Sequence, residues 1–442
     1  MSNTLTTSIL IKNGRLIDPA NNINKLADIH IINGKIATIN ATIETTNGIK
    51  VNDSTQIIDA SGLTIIPGLV DCCARLREPG LENKATINSE TIAATKAGIT
   101  TLCCPPDTDP VIDEPAVVEL INHKTVNAAH SKVVMLGALT AGLRGEHLSE
   151  IYALKQAGCA GLSNARKPIE NSLILKRAFA YAATFDMRVF IEPDEHWLSM
   201  GGCAHEGKIA TRLGLKGIPV SAETIAIARA LELVAETGVS AHFGRLSSAQ
   251  GATMIARAKN EQLPVTADVS AHQLHLTELD ISSFNSACHV IPPLRTQRDL
   301  EVLQNAVSNG TIDAICSDHQ PHDVDAKQSP FASTEAGISS LETLLPLCLR
   351  LVQQTSLELS DVIHKITCSP ANILGIKAGT LSVGGDADIC IFDENEDWQL
   401  TTDIINSHGK NTPFLGWNFQ GKVKYTIVNG KLLFSCSSSY SS

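Results

Sequence analysis

The sequence has 442 residues, 43% of them apolar and 18% charged, which is ample material for a large core and excludes a disordered or fibrous chain. Acidic residues (46) outnumber basic ones (35), leaving a formal charge of −11, and no Lys/Arg block forms a phosphate-binding stripe, so no nucleic acid is expected as a partner. The 12 cysteines are scattered behind a start, Met1-Ser2-Asn3-Thr4, that lacks a signal segment, and no apolar run approaches the roughly 18 residues needed to span a bilayer; cytoplasmic thiols and no membrane are the expectation.

The first 60 residues predict short β segments broken by turns: 8–12, a hairpin turn at Asn13-Gly14, 29–32, and a second turn at Asn33-Gly34. Between Pro67 and Gly375 short apolar strands alternate with amphipathic helices. Strand candidates are 133–136, 188–191, 239–243, 265–269 and 312–316. The clearest helix, 221–237, is expected to be capped by Ser221, to carry Glu223 in its first turn, to stop at Gly238, and to face the core with Ala228, Leu231, Val234 and Ala235. β texture returns after Gly379 with 387–392, 422–428, a turn at Asn429-Gly430, and 431–434. This order predicts an α/β fold: a (β/α) barrel over 67–375, a small β-sandwich domain built from both termini (1–66 and 376–435), and a flexible tail at 436–442.

Polar clusters fall where the apolar strands end, at 71–77, 163–167, 192–195, 245–248 and 318–322. The C-terminal strand ends of a (β/α) barrel form its active-site face, so these five clusters are expected to converge on one cavity.

The run Pro67-Gly68-Leu69-Val70-Asp71-Cys72-Cys73-Ala74-Arg75-Leu76-Arg77-Glu78-Pro79-Gly80 resembles the P-G-x-x-D-x-H-x-H-x-R-E-P-G signature of the dihydroorotases, in the amidohydrolase superfamily. The likeness continues through Cys104-Pro105-Pro106-Asp107-Thr108-Asp109-Pro110, Ile291-Pro292-Pro293-Leu294-Arg295, Ser317-Asp318-His319-Gln320-Pro321-His322 and Phe414-Leu415-Gly416-Trp417. It implies a (β/α)8 TIM barrel of amidohydrolase type, with zinc supplying a polarised carbonyl and a hydroxide for cyclic-amide hydrolysis. At the metal positions of that family this chain carries Cys73, Arg75, Asn164, Glu192, Arg245 and Asp318; only Asp318, the family's catalytic aspartate position, is kept. His242 survives in the segment that supplies Arg245. Arg77 and His322 match residues that hold the substrate carboxylate, whereas Asp107 replaces an Asn and is expected to repel an anionic substrate, and Ile291 replaces another Asn.

Arginine cannot be deprotonated and cannot ligate a metal, so these changes are expected to abolish the family's zinc site. Buried carboxylates left without a cation are costly, and Arg75 and Arg245 are expected to pair with Glu192 and Asp318 in the former metal cavity. The resemblance is nearest to non-catalytic dihydroorotase-like chains that associate with the aspartate carbamoyltransferase catalytic chain. It implies a pseudoenzyme of pyrimidine biosynthesis that assembles or stabilises that enzyme, itself a homodimer. One alternative is an active cyclic amidohydrolase with a rebuilt zinc site at Cys73, Glu192 and Asp318. Another is a sensor holding a small carboxylate on Arg77 and His322. His196 and His205 have no partner spacing that marks them as ligands, Lys167 falls after the position of the metal-bridging lysine of some relatives and is expected in a surface turn, and 323–333 is expected to lack order without a bound ligand.

Overall fold

A computed structural model of the protein describes residues 8–41, 55–128 and 130–436. Five strands open the chain: β1 (Ser8–Asp18), β2 (Ile23–Ile32), β3 (Lys35–Asn40), β4 (Thr55–Asp59) and β5 (Thr64–Pro67). Then come β6 (Leu69–Asp71), β7 (Ile99–Cys104), β8 (Lys132–Ala138), β9 (Gly161–Ser163) and β10 (Val189–Ile191). After an excursion containing the short pair β11 (Ala204–His205) and β12 (Gly217–Ile218), the series resumes with β13 (Ala241–Phe243), β14 (Val265–Ser270) and β15 (Ala314–Cys316). The chain closes with β16 (Ile389–Gln399), β17 (Asn418–Val428) and β18 (Lys431–Ser435).

The middle strands form one parallel sheet ordered β15-β14-β13-β10-β9-β8-β7-β6. Its two edges meet just past their ends, where Ala74 bridges His319 in parallel and Arg75 N donates to His319 O at 2.9 Å, so the sheet is a nearly closed eight-stranded barrel. The triplets Leu-Val-Asp, Ala-His-Phe and Ala-Ile-Cys of β6, β13 and β15 are buried throughout, as strands covered on both faces must be. The terminal strands form the second sheet, β18-β17-β16-β5-β1-β2-β3, with β4 also paired to β1, so segments from both ends share one ladder. Its own core includes Ile11, Leu16, Ile29, Ile65, Ile389 and Ile427, and Cys390, Phe392 and Phe419 join the barrel core. No described helix is long and apolar enough to cross a membrane.

Three local expectations need correction. Asn13-Gly14 is a bulge within β1, not a turn: the β1/β2 register shifts between Ile11 and Gly14, and a Cβ at Gly14 would lie 2.3 Å from Ile65 Cδ1. The chain reverses later, at Pro19–Asn21, where Ala20 N donates to Asp18 Oδ1. The turns at Asn33-Gly34 and Asn429-Gly430 stand as expected, with positive φ at all four residues. The long helix is Val220–Thr237, preceded by Pro219, so Ser221 lies inside it and caps nothing. Its buried stripe is Ala222, Glu223, Ile227, Ala230 and Val234, while Ala228 and Ala235 face solvent. Finally, Ser435 ends β18, and Cys436 N still donates to Lys424 O at 2.8 Å; the rest of the expected tail, 437–442, lies outside the described residues.

Candidate functional site

The five polar clusters do converge, and they bring a sixth residue from the loop after β7. Taken in chain order, the barrel mouth receives Arg75 after β6, Asp107 after β7, Arg166 after β9, Glu192 after β10, Arg245 after β13 and Asp318 after β15. The signs alternate, and the six charges sum to zero. Arg75 Nε stands 2.7 Å from Asp107 Oδ2, and its two terminal nitrogens lie 3.5 Å from Glu192 and 3.6 Å from Asp318. Glu192 is shared further, at 2.9 Å from Arg166 Nε and 2.9 Å from an Arg245 terminal nitrogen. Asp318 also faces Arg166 and Arg245, at 3.6 and 3.9 Å. The side chains of Arg75, Glu192, Arg245 and Asp318 are all less than a tenth exposed.

The expected four-residue cluster is therefore present, enlarged by Arg166 and Asp107. Asp107, expected to repel an anion, is instead neutralised by Arg75. Burial pushes the Asp107 and Glu192 pKa values up, but the arginines outweigh it and hold both below the ordinary carboxylate range. Burial likewise opposes the Arg75 and Arg245 charges, and the surrounding carboxylates more than restore them.

The backbone presents these groups by turning sharply at the strand ends. Ala165, Arg245 and Asp318 all have left-handed φ, near +50°. Each turn is tied down by a neighbour. Ala165 N donates to Ser163 Oγ at 3.0 Å, and Arg245 N donates to Asp268 Oδ1. Ser317, just before Asp318, donates its N–H to Asp71 Oδ1 at 2.9 Å and its hydroxyl to Oδ2. Asp71 is so enclosed that burial raises its pKa to about 6 despite those donors. Below Arg245, Asp268 accepts from His242 Nε2 at 2.8 Å, and His242 Nδ1 lies 2.9 Å from Thr266 Oγ1. His242 thus supports the ring from beneath, a pairing invisible without knowing that β13 and β14 are neighbours. Asn164 ties its loop to the one after β8, accepting from Thr140 Oγ1 at 2.7 Å and donating to Lys167 O, in its own loop, at 2.9 Å. His272 is buried close to Asp318, and burial pushes its pKa down to about 4.

The donor set does not suit zinc. A zinc site takes three or four thiolate, imidazole or carboxylate ligands. Here Cys73 Sγ is 3.8 Å from Asp318 and 4.0 Å from Arg75, but burial keeps its thiol protonated far above neutral pH. The Glu192 and Asp318 carboxylates point at guanidinium nitrogens, whose charge also repels a cation. Among the described residues, no group of three His, Cys, Asp or Glu side chains is arranged to hold a metal.

Beside the ring, Arg77 and His322 remain together: an Arg77 terminal nitrogen lies 3.2 Å from His322 Nε2, and Arg77 Nε donates to Pro321 O at 3.0 Å. Gly80 makes this corner possible: its φ is +98°, and a Cβ there would stand 2.2 Å from Asp109 O. A small cleft opens on the other side, over Arg166, Glu192 and Arg245, with Ile291, Pro292 and Arg295 in its wall. Lys167, His196 and His205 take no part in the ring; His205 instead lies 3.1 Å from Arg295. The expected disorder at 323–333 is replaced by two short turns, Asp325–Lys327 and Phe331–Ser333.

Comparison with known proteins fits this architecture. Residues 62–250 match the family model described as Dihydro-orotase-like. The chain is 47% identical to a "Dihydroorotase-like protein" of Pseudomonas putida over 96% of its length and 98% of that protein's, and 46% identical to one from Pseudomonas aeruginosa over 96% and 99%. It is also 38% identical to a "Dihydroorotase" of Geobacter sp. (strain M21), over 97% and 99%. Among solved structures it superposes on L-hydantoinase from Arthrobacter aurescens with a TM-score of 0.86 at 25% identity, covering 97% and 96% of the two chains. The chain belongs to the dihydroorotase-like family of the amidohydrolase superfamily.

Proposed function

We propose that this member of the dihydroorotase-like family is a non-catalytic partner in pyrimidine biosynthesis. In this reading its barrel, a homodimer in the cytoplasm without zinc or another cofactor, assembles or stabilises the aspartate carbamoyltransferase catalytic chain. The observation that carries the reading is the neutral, alternating ring of Arg75, Asp107, Arg166, Glu192, Arg245 and Asp318 at the position of the family's chemistry. Opening a cyclic amide needs a polarised carbonyl and a water activated near neutral pH. The ring offers neither a free base nor an electrophile aimed at a vacant position. Glu192 is held by three guanidinium groups, Asp318 faces the same three, and Cys73 is a neutral thiol. Fixed charge pairs of this kind preserve a barrel's shape while removing its reactivity, which is what a scaffold requires.

The test is to mix the purified chain with the carbamoyltransferase catalytic chain and follow assembly by analytical ultracentrifugation, alongside a dihydroorotate hydrolysis assay. The expected outcome is a stable complex of defined stoichiometry and no hydrolysis above background. Turnover of dihydroorotate by the chain alone, with no complex at micromolar concentrations, would overturn the proposal and favour an amidohydrolase that works through Cys73, Glu192 and Asp318.

A further inference from the structure

A second cleft opens where the terminal sheet meets the barrel. Trp398 of β16, Val423 of β17 and Phe434 of β18 line one side, and Leu345, in the helix Leu344–Gln354, lines the other. It holds about 230 Å³, and no member of the charged ring borders it. Trp398, Phe434 and the neighbouring Ile404 are only partly covered although they pack on the barrel core, so the wall of the cleft is a stretch of that core left open to solvent.

Both the wall and its one polar anchor are held in place. Trp398 Nε1 donates to Gly421 O at 2.8 Å, so the indole turns its apolar body to the cleft. Gly421 has φ +91°, and a Cβ there would stand 2.2 Å from Leu349 Cδ1, so only glycine lets β17 approach the helix this closely. At the rim, Glu342 Oε1 accepts from Asn406 N at 2.6 Å and from Ser407 N at 2.9 Å, while Oε2 accepts nothing among the described residues. The nearby Lys96 Nζ is turned to Asn406 Oδ1, at 2.6 Å, and Lys422 is paired with Glu396 at 2.9 Å. The cleft therefore offers an apolar, aromatic slot with one fixed acceptor.

We infer that this cleft binds a small planar heteroaromatic ring that carries an N–H donor, the ring lying against Trp398 and Phe434 and the N–H reaching Glu342 Oε2. Size selects the class of ring: an apolar cavity of about 150 Å³ takes up benzene, so the space here suits a fused bicycle. Apolar and aromatic walls with a few fixed polar groups are the usual build of a small-molecule site. Charge selects the donor. The free atom at the rim is a carboxylate oxygen, Asp403 adds a second negative charge beside it, and both cations are engaged, so an anion is disfavoured and an N–H is favoured. The site does not depend on whether the barrel mouth is catalytic.

Indole is the probe, and indene, the same shape without the N–H, is its control. Both are titrated into the full chain and followed by ligand-observed NMR, while the side-chain N–H signals of the three tryptophans, labelled with nitrogen-15, report the place of binding. Saturable indole binding is expected, with a Kd below about 1 mM, and indene about tenfold weaker. The Trp398 signal is expected to shift and that of Trp197 to stay. Glu342→Gln keeps an oxygen for the two backbone N–H groups and turns the free atom into a donor, so it is expected to erase the advantage of indole over indene. Phe434→Ala, which removes part of the wall, is expected to weaken both probes alike. If the Glu342 variant fails to fold, the comparison of indole with indene on the unaltered chain decides. No saturable binding up to the solubility limit, equal affinity for the two probes, or a response at Trp197 without one at Trp398 would overturn the inference.

Discussion

Replacing Arg75 by Met tests the ring at its most connected member. The methionine keeps much of the length and apolar stem but removes a cation that faces Asp107 at 2.7 Å, Glu192 at 3.5 Å and Asp318 at 3.6 Å. Glu192 keeps Arg166 and Arg245, each at 2.9 Å, but Asp107 loses its close partner, and the buried cluster becomes net negative. Breaking one side of a buried charge pair costs about 3–5 kcal/mol. Unfolding entropy of ~2.1 cal/mol/K per residue puts the loss for a chain this long at roughly 3–6 °C in Tm. The double variant Arg75→Met/Asp107→Asn restores neutrality, so it is expected to recover part of the loss, with a coupling on the order of 1–3 kcal/mol. Differential scanning fluorimetry on the two single variants and the double one completes the cycle. An Arg75→Met protein that melts within a degree of the parent, or effects that simply add, would refute the claim that these charges stabilise one another.

Acid should weaken the fold from a different source. Burial holds His272 down to about 4, and burial with Arg295 does the same to His205, so both stay neutral in the folded state. Their contribution is complete above the unfolded pKa of about 6.5 and is lost as pH falls toward 4, amounting to about 3 kcal/mol for a fully buried histidine such as His272. Asp71, raised to about 6, works the other way and offsets part of this. The depressed Asp107 and Glu192 keep their contribution until pH falls below their ordinary range near 4. Melting temperature should therefore drop between pH 6.5 and 4.5, and His272→Asn should flatten that drop; an unaltered slope in the variant would assign the acid sensitivity elsewhere. Asn164→Asp removes the donor that serves Lys167 O and Leu143 O, and is expected to cost about 1–3 kcal/mol, read as a lower Tm, with no loss if the amide plays no part in the loop.

The barrel was legible because its strands are short and apolar and its polar clusters follow them, which only a parallel sheet with one functional face explains. Four of the six ring members were legible too, since arginines standing at metal positions demand carboxylate partners. Arg166 was missed because nothing in Ser163-Asn164-Ala165-Arg166 announces that the left-handed φ of Ala165 reverses the chain there. Asp107 was misread because its position suggested an encounter with substrate, while its actual partner, Arg75, lies 32 residues away on the adjacent strand end. The Asp268–His242 support rests on the register that sets His242 opposite Thr266, a tertiary fact. Of the expected stripe on Val220–Thr237, Val234 is buried and Leu231 packs against the core, and the misplacement of Ala228 and Ala235 has a local cause. Alanines sit on both faces of that helix, so its apolar pattern is ambiguous, and the buried Glu223 that accepts from Ser247 and Ser248 marks the inner face better than any of them.

If fixed guanidinium groups have taken the place of metal ions, the purified protein should take up no zinc, a content measured by inductively coupled plasma mass spectrometry after incubation with excess zinc and removal of the unbound ion. The ring predicts well under one zinc per chain. One or two zinc ions per chain, released by a chelator with a fall in Tm, would contradict it.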